Sequence, residues 1–597
     1  MFTWTDRELN AEQSEAVVAP GNILLTACPG SGKTRTLTYK IAYELSRLES
    51  DRQFVVAITY TNRAADEIRE RIQDLGVDTA RLWIGTIHAF CLEWIIKPYG
   101  IYAPDLANGY SIVDLHARER LLEALCEPYR HERITFYDCE YYYTSEGYRL
   151  GCPSPGKHAS IRRILESYFG ILRERRQIDF ELILWHALQL TEQFPAISGL
   201  LSKLFVCVLV DEYQDTKQIQ YVILGAVLRA GQGATRLFMV GDPNQAIYGS
   251  LGGYPIELGD LRVLTELPIE TRTLSLNYRS SARIIDFFNH FNVHDTVIVA
   301  AGEDRLYPSL VSYDRECQKT GLVHEIGTLI RHNIDTLGVR PEQICVLAPQ
   351  WLHLASMTRQ LVATLPDYQF DGPGMVPFAR DIENFWYKVA RLALTEPSPA
   401  LFIRRHRWAG EIISALQDAG VPTQHLSRRM LLRDCNAIAL EEQGGLAYLR
   451  GFFEQLFDRL GIVISNVASL REHYNAFFAS SAARIEKLEA EGLTEVGDLA
   501  FFKRIFQNRS GITVSTIHGV KGAEFDVVIA YALLDGMVPH FNDPHGEVSA
   551  RKLLYVVGSR ARKNLHLFSE HGRSRGWRGH YEPTRALSDC VFDYDVI

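Results

Sequence analysis

The most constraining feature of the chain is an apolar run that ends abruptly in glycines. Ile23-Leu24-Leu25-Thr26-Ala27 suits a buried strand and leads straight into Cys28-Pro29-Gly30-Ser31-Gly32-Lys33-Thr34. A helical stretch follows, with Leu37, Ile41 and Leu45 four residues apart. The segment Ala27 to Thr34 misses the G-x-x-x-x-G-K-[ST] pattern at one place, because Ala27 stands at the first glycine position. Strand, glycine turn and helix start together predict a phosphate cradle. Gly30 and Gly32 let the backbone approach an anion, and the first amides of the helix point at it. Lys33 is expected to supply a point charge to the β and γ phosphates of a nucleotide, and Thr34 a hydroxyl to Mg²⁺.

Such a cradle needs a carboxylate partner. Leu204-Phe205-Val206-Cys207-Val208-Leu209-Val210 is a second continuous apolar run, as expected of a central parallel strand. It ends in Asp211-Glu212-Tyr213-Gln214-Asp215. Asp211 is predicted to hold Mg²⁺ through water, and Glu212 to orient or deprotonate the attacking water.

Composition narrows the class without choosing a partner. At 597 residues, with 47% hydrophobic and 23% charged residues, the chain has room for three or four globular domains. The net charge of −9 speaks weakly against a nucleic-acid partner but permits a local basic groove. The ten cysteines include no Cys-x-x-Cys pair, which argues against a zinc ribbon or disulfide framework and for a reducing cytoplasm. No apolar run reaches the ~18 residues of a membrane span. The start, Met1-Phe2-Thr3-Trp4-Thr5-Asp6, does not have the pattern of a signal peptide.

Further blocks follow in a fixed order. Leu9-Asn10-Ala11-Glu12-Gln13 precedes the glycine turn. Beyond it come Ile58-Thr59-Tyr60-Thr61-Asn62-Arg63-Ala64-Ala65 and Gly85-Thr86-Ile87-His88-Ala89-Phe90. The acidic strand end is followed by Val240-Gly241-Asp242-Pro243-Asn244-Gln245-Ala246-Ile247-Tyr248-Gly249 and Leu276-Asn277-Tyr278-Arg279-Ser280. Val514 to Phe525 and Tyr555 to Ala561 complete the series. In this order the blocks resemble the nine motifs of the UvrD/Rep/PcrA-like superfamily 1 DNA helicases. A kinase or GTPase with the same glycine turn would leave the distant arginine blocks unexplained.

The resemblance implies an α/β fold with two RecA-like parallel-sheet motor domains, each with a mainly helical insertion. It implies an ATP-dependent translocase or helicase that moves 3′ to 5′ on single-stranded DNA or tailed duplex, with ATP and Mg²⁺ as cofactors. By similarity, Gln13 contacts adenine, Tyr278 stacks on it, and Glu524 reaches the ribose. Pro29, Gly30, Ser31, Gly32, Lys33, Thr34 and Arg35 hold the nucleotide, and Thr34 and Asp211 the metal. Lys33, Asp211, Glu212, Gln245, Arg279 and Arg560 are the expected catalytic set. Gln245 senses the γ-phosphate, and the two arginines arrive from the second motor domain to offset charge on the transferring phosphoryl group. Tyr60, Thr61, Asn62, Thr86, His88, Tyr248, Thr516 and His518 are the expected DNA contacts, mixing phosphate donors with aromatic faces.

Two departures stand out. Family members usually carry Trp-Arg after the Ile-Tyr-Gly of motif III, whereas this chain has Ser250 and Leu251. That puts the coupling of nucleotide and strand sites in doubt. Motif VI has Val557-Gly558-Ser559 where Gly-Val-Thr or similar is usual. A second reading within the resemblance is therefore an ATPase subunit with weak or no unwinding, serving a nuclease partner. The helicase-like subunit of the anti-phage system Gabija is the analogue.

The expected organisation is a first motor domain at 1–92 and 201–275, interrupted by a helical insertion at 93–200. A second motor domain spans 276–384 and 511–597, interrupted by a short helical insertion at 385–510. Helical pattern is found at Ser160–Arg176, Phe180–Gln193 and Ala482–Ala490, and a strand at Ile344–Ala348. The Tyr-rich stretch Tyr137 to Tyr148 is expected to be a surface loop or partner face, with base stacking as the alternative. The cluster Arg573, Arg575, Arg578 is expected either to touch DNA or to be solvated.

Overall fold

A computed structural model describes residues 2–596 except 114, 250–251, 373–376, 379–383, 464–466, 491–495, 507–510, 544 and 576–578. The departure at Ser250 and Leu251, and Arg578 of the basic cluster, lie outside the described residues. The chain divides into two compact units. The larger comprises Met1–Ser111, Leu125–Gln350 and Thr516–Ile597, and the smaller Ile112–Ala124 and Trp351–Ser515.

The larger unit is built on two parallel sheets. The first uses β1 (Asn22–Ala27), β2 (Phe54–Thr59) and β3 (Leu82–Thr86), then, beyond a hairpin of β4 (Tyr141–Thr144) and β5 (Gly147–Leu150), β6 (Phe205–Asp211), β7 (Arg236–Gly241) and β8 (Ile269–Leu274). Its order is β8-β1-β7-β6-β2-β3, with every pairing parallel. The central strands are apolar throughout because helices cover both faces. Ile23, Leu25, Val55, Ala57 and Leu209 are all fully buried. Helices α1 (Ala11–Val18), α2 (Lys33–Leu45) and α3 (Asn62–Asp74) pack on this sheet, and Leu37 and Ile41 of α2 join its core. Register brings Asp211 beside Val240 and Ala27 beside Leu274, so the strands end along one carboxyl edge. Ligand sites of open α/β sheets form at that edge.

The second sheet of the larger unit has β9 (Val311–Asp314), β10 (Ile344–Ala348), β13 (Phe525–Ala530) and β14 (Ala561–Phe568), in the order β9-β14-β13-β10, again parallel. Its core includes Cys345, Leu347, Val528, Ala530 and Leu565. Leu553, Leu554 and Val557 of a covering helix (Glu547–Ser559) pack there too.

Within the smaller unit, β11 (Phe370–Asp371) pairs in parallel with β12 (Ile512–Thr516). Its described helices include Phe385–Ala393, Phe402–Asp418, Arg428–Asn436, Gly445–Leu460 and Ala468–Ala490. These helices share one aromatic core around Trp386, Phe453 and Phe477.

The predicted strand at Ile344–Ala348 and helix at Phe180–Gln193 match the structure residue for residue. The predicted Ser160–Arg176 helix runs from His158 to Glu174. The Tyr-rich stretch differs from expectation. It is no surface loop: Tyr141 and Tyr143 alternate inward from the β4–β5 hairpin, and both are buried. The Tyr141 hydroxyl donates to Asp179 over 2.6 Å, and Tyr143 stacks on Trp185 at 4.7 Å. Tyr137 alone of these three is exposed. The hairpin is also tied to the segment after Asp215. Ser145 and Gln218 exchange two hydrogen bonds of 2.8 Å, and Lys217 pairs with Glu181, which accepts from the Tyr143 amide. None of the ten cysteines is in a disulfide. Among the described residues no helix is long and apolar enough to cross a membrane, and no cluster of side chains suits a structural metal.

Candidate active site

The carboxyl edge of the first sheet supplies one wall of the site. After Ala27 the chain turns through Gly30 (φ +68°) and Gly32 (φ +79°), left-handed conformations in which a side chain is strained. Space forbids one as well: a Cβ on Gly30 would lie 2.6 Å from the Cβ of Arg279. Ser31 is buried and its hydroxyl donates to the Cys28 carbonyl over 2.7 Å, fixing the loop. Lys33 and Thr34 then open α2, where the amides are free of helix partners. Gln13 stands behind this turn and is buried. Its Nε2 donates to the Ser31 carbonyl over 2.9 Å, while its Oε1 accepts from the Asn10 amide in a capping box. Gln13 braces the loop and does not line the cavity in front of it. Asn10 in turn donates to the Tyr278 hydroxyl over 2.7 Å.

Asp211 ends β6 and is 7% exposed. Glu212 follows at φ +50°, a left-handed conformation unusual for a glutamate and one that turns it toward the cradle. The Lys33 ammonium stands 3.9 Å from the Glu212 carboxylate, and Gln214 donates to that carboxylate over 2.6 Å. Burial raises the pKa of Asp211, and the neighbouring Glu212 charge adds to the rise. Burial works against Glu212 as well, but Lys33 and then Lys521 outweigh it and hold Glu212 well below the ordinary carboxylate range. Burial and charge thus pull these two neighbouring carboxyls in opposite directions.

The opposite wall comes from the residues just before β13 and β14 and from the segment after β8. Arg560 is 1% exposed. Its Nη2 donates to Oε1 of Gln245 over 2.8 Å, and its Nη1 to the Ala523 carbonyl over 3.2 Å. Gln245 donates onward to Asp242 over 2.7 Å. Burial, with Arg279 adding to it, lowers Arg560 to about 9, so it remains a cation at neutral pH. Arg279 pairs with Glu524 and donates to the Ser559 carbonyl over 3.0 Å. Arg562 holds the other oxygen of Glu524 at 2.7 Å. Burial alone would raise Glu524, but Arg279 and Arg562 bring it down to about 2.

These walls enclose a cavity of about 1030 Å³. It is lined by Pro29, Gly30, Gly32, Lys33, Thr34 and Arg35 on one side, and by Tyr278, Arg279, Glu524 and Arg560 on the other, with Asp211, Glu212 and Gln245 between them. The Thr34 hydroxyl and the Asp211 carboxyl give it hard oxygen donors of the kind Mg²⁺ takes.

Tyr60, Thr61, Tyr248 and His518 line the same cavity. Tyr60 stacks on Tyr248 with centroids 5.1 Å apart and planes 23° from parallel. The Tyr248 hydroxyl donates to the His518 carbonyl over 3.1 Å, and His518 Nε2 lies 3.2 Å from the Ile247 carbonyl. The other expected strand contacts are spread more widely. Thr61 and Thr86 cap helix starts by accepting from the Ala64 and Ala89 amides. Asn62 begins α3, and the Thr516 hydroxyl accepts from the Gly519 amide over 2.9 Å. His88 lies edge-on to Phe180, with no hydrogen-bond partner for its Nε2 among the described residues. Burial pushes His88 down to about 3, and Lys217 adds to the shift.

Comparison with known proteins gives this arrangement a family. Residues 9–258 match the UvrD/REP helicase N-terminal domain, and residues 469–571 the UvrD-like helicase C-terminal domain. The chain belongs to the UvrD-like superfamily 1 helicases. Its relatives include the ATP-dependent DNA helicase UvrD1 of Mycobacterium leprae, 25% identical over 94% of this chain and 82% of the relative. DNA helicase II of Haemophilus influenzae is 25% identical over 97% of this chain and 86% of its own length. DNA helicase II of Escherichia coli K12 is 32% identical over 47% of this chain and 40% of its own length.

In this UvrD-like chain, Lys521 also lines the cavity, a residue for which the sequence carried no expected role. The Lys521 side chain is 8% exposed and pairs with Asp215, with oxygens at 2.7 and 2.5 Å, and also donates to the Gln245 carbonyl over 2.5 Å. Its ammonium lies 5.1 Å from the centre of the Tyr248 ring. It thereby joins the acidic loop, the Gln245 loop and the aromatic stack. The available signal was its position inside the block that carries His518 and Glu524.

Proposed function

We propose that the protein is an ATP-dependent translocase and helicase that moves 3′ to 5′ along single-stranded DNA. The observation that carries this reading is the single cavity in which Lys33, Asp211 and Glu212 face Arg279, Arg560 and Gln245, with the Tyr60–Tyr248 stack on its rim. Residues 1–92 and 201–275 would act as one motor domain, and 276–384 and 511–597 as the other, with 93–200 and 385–510 inserted in them.

The proposed chemistry follows from charge. ATP enters with its phosphates over Gly30 and Gly32. Lys33 leaves Glu212 for the γ-phosphate, which frees Glu212 to take a proton from the attacking water. As negative charge spreads over the transferring phosphoryl group, Arg279 and Arg560 offset it from the opposite wall. Thr34 and Asp211 would hold Mg²⁺, which neutralises phosphate charge when bound. Gln245 is held between Arg560 and Asp242, so a γ-phosphate that draws Arg560 also shifts the loop carrying Tyr248. Gln13, Tyr278 and Glu524 would serve the nucleoside, Gln13 by fixing the loop beneath it. Tyr60 and Tyr248 would part to admit a base, and Thr61, Asn62, Thr86, His88, Thr516 and His518 would line the strand's path.

The test is strand separation on 3′-tailed and 5′-tailed duplexes, with ATP turnover measured in the same reactions. Unwinding of the 3′-tailed duplex alone supports the proposal. DNA-stimulated turnover with no unwinding of either overturns it in favour of an ATPase subunit that serves a partner such as a nuclease.

A further inference from the structure

The smaller unit contains a cavity that the ATPase chemistry does not use. It lies between the helices Phe402–Asp418 and Arg428–Asn436 and measures about 870 Å³, within the range of pockets that take a ligand or anchoring side chain. Pro397, Pro399, Phe402 and Leu432 form apolar walls. Phe402 is 49% exposed.

The charged groups of this cavity are of one sign. Arg405, Arg429 and Arg433 line it, and no carboxylate does. Arg405 is 3% exposed. Its guanidinium is fixed by the Leu392 and Thr395 carbonyls and by Asn436 Oδ1 at 2.7 Å, yet no carboxylate lies within ion-pair distance among the described residues. A buried cation without a counter-ion is costly, and burial lowers its pKa accordingly. Arg429 makes no ion pair among the described residues, while Arg433 is paired with Asp434 at 3.2 Å. From Phe402 to Asn436 the sequence carries six arginines against Glu411, Asp418 and Asp434, in a chain whose net charge is −9.

We propose that this cavity is the docking site for an acidic peptide segment of a partner protein. An aromatic or branched aliphatic side chain seats between the prolines and Phe402, and a neighbouring carboxylate meets Arg429 and the unpaired Arg405. Charge complementarity selects the acid, and the apolar walls select the anchor. Those walls also favour a peptide over nucleic acid, because they give an apolar side chain a seat beside the arginines that a sugar-phosphate backbone has no group to fill.

The experiment pans a random dodecapeptide display library on the full-length protein and on the exposed-residue variants Phe402→Ser and Arg429→Glu. Circular dichroism and DNA-stimulated ATP turnover verify that both variants are folded. The expected result is enrichment of peptides with Asp or Glu beside Phe, Trp or Leu. Synthetic copies bind the wild type at least tenfold more tightly than either variant, and single-stranded oligonucleotide does not displace them. Equal binding to wild type and variants, enrichment of neutral or basic peptides, or displacement by oligonucleotide overturns the proposal.

Discussion

The guanidinium of Arg560 donates to the side-chain oxygen of Gln245 across 2.8 Å, and neither group reaches bulk water. These residues are far apart in sequence, and the bond links the turn before β14 to the turn after β7. A charge that attracts Arg560 must weaken or stretch this bond, so nucleotide chemistry is felt at Gln245 and, three residues on, at Tyr248.

Arg560→Ala is expected to lower kcat for ATP hydrolysis by at least about a hundredfold while KM changes by less than about threefold, as for a group that acts on developing charge. Arg560→Lys should recover only part of the loss, because a compact ammonium lacks the two separated N–H arms with which the guanidinium reaches Gln245 and the Ala523 carbonyl. Steady-state turnover at saturating single-stranded DNA measures both. A variant with raised KM and normal kcat would refute the assignment.

Lys33→Ala is expected to abolish ATP turnover, leaving under about 1% of the wild-type rate, because the transferring phosphate loses its nearest fixed charge. It also removes the ion-pair partner of Glu212 at 3.9 Å. Turnover at the wild-type rate would show that the cradle is not the hydrolytic site.

Gly30→Ala is expected to weaken nucleotide binding severely, since the new methyl meets Arg279 at 2.6 Å as well as the strain of φ +68°. Gly76→Ala is the control. It has φ +70° with nothing within 4 Å of the added carbon, so it bears only the conformational cost of about 1 kcal/mol. Fluorescent-nucleotide titration should separate the two variants even where their melting temperatures fall together.

Tyr248→Ala is expected to cost about 1–3 kcal/mol in single-strand affinity, while Tyr248→Phe keeps the ring and loses only the bond to the His518 carbonyl. Fluorescence anisotropy with labelled oligo-deoxythymidylate reads the difference. Equal affinity for all three proteins would remove Tyr248 from the strand path.

His566 gives a prediction in pH. It is fully buried on β14, its Nδ1 lies 2.8 Å from the Ser312 hydroxyl, and burial lowers its pKa to about 4. A histidine depressed in the folded state stabilises it above the unfolded value of about 6.5, and that contribution is lost as pH falls toward 4. The loss amounts to about 2 kcal/mol by pH 5. Denaturation midpoints at pH 7.5 and 5.0 should therefore fall more in the wild type than in His566→Gln.

The parts of the site that were legible in sequence are those written in local pattern. An apolar run ending in Gly30-Ser31-Gly32-Lys33 admits few structures, and the run ending in Asp211 is a central strand on its apolar content alone. What sequence did not disclose depends on contacts across long separations. Lys521 reaches Asp215, and Gln13 uses both polar atoms of its amide on the chain itself, where the resemblance suggested a base contact. The left-handed backbone of Glu212 has no signature in its residue type. The Tyr-rich stretch is a strand and not a loop, and the alternation of Tyr141 and Tyr143 is the sequence signal for its one buried face.

The bonds between the β4–β5 hairpin and residues 217–218 have a consequence for inheritance. Ser145 and Gln218 are 73 positions apart, yet each completes the other's hydrogen bonding, and Glu181 does the same for Lys217. A chimaera that replaced the segment around the hairpin with that of a relative, while keeping its own acidic loop, would leave these groups without partners a few residues from Asp215. The two stretches form one unit of exchange, so a change in the hairpin has to be matched beside the acidic loop.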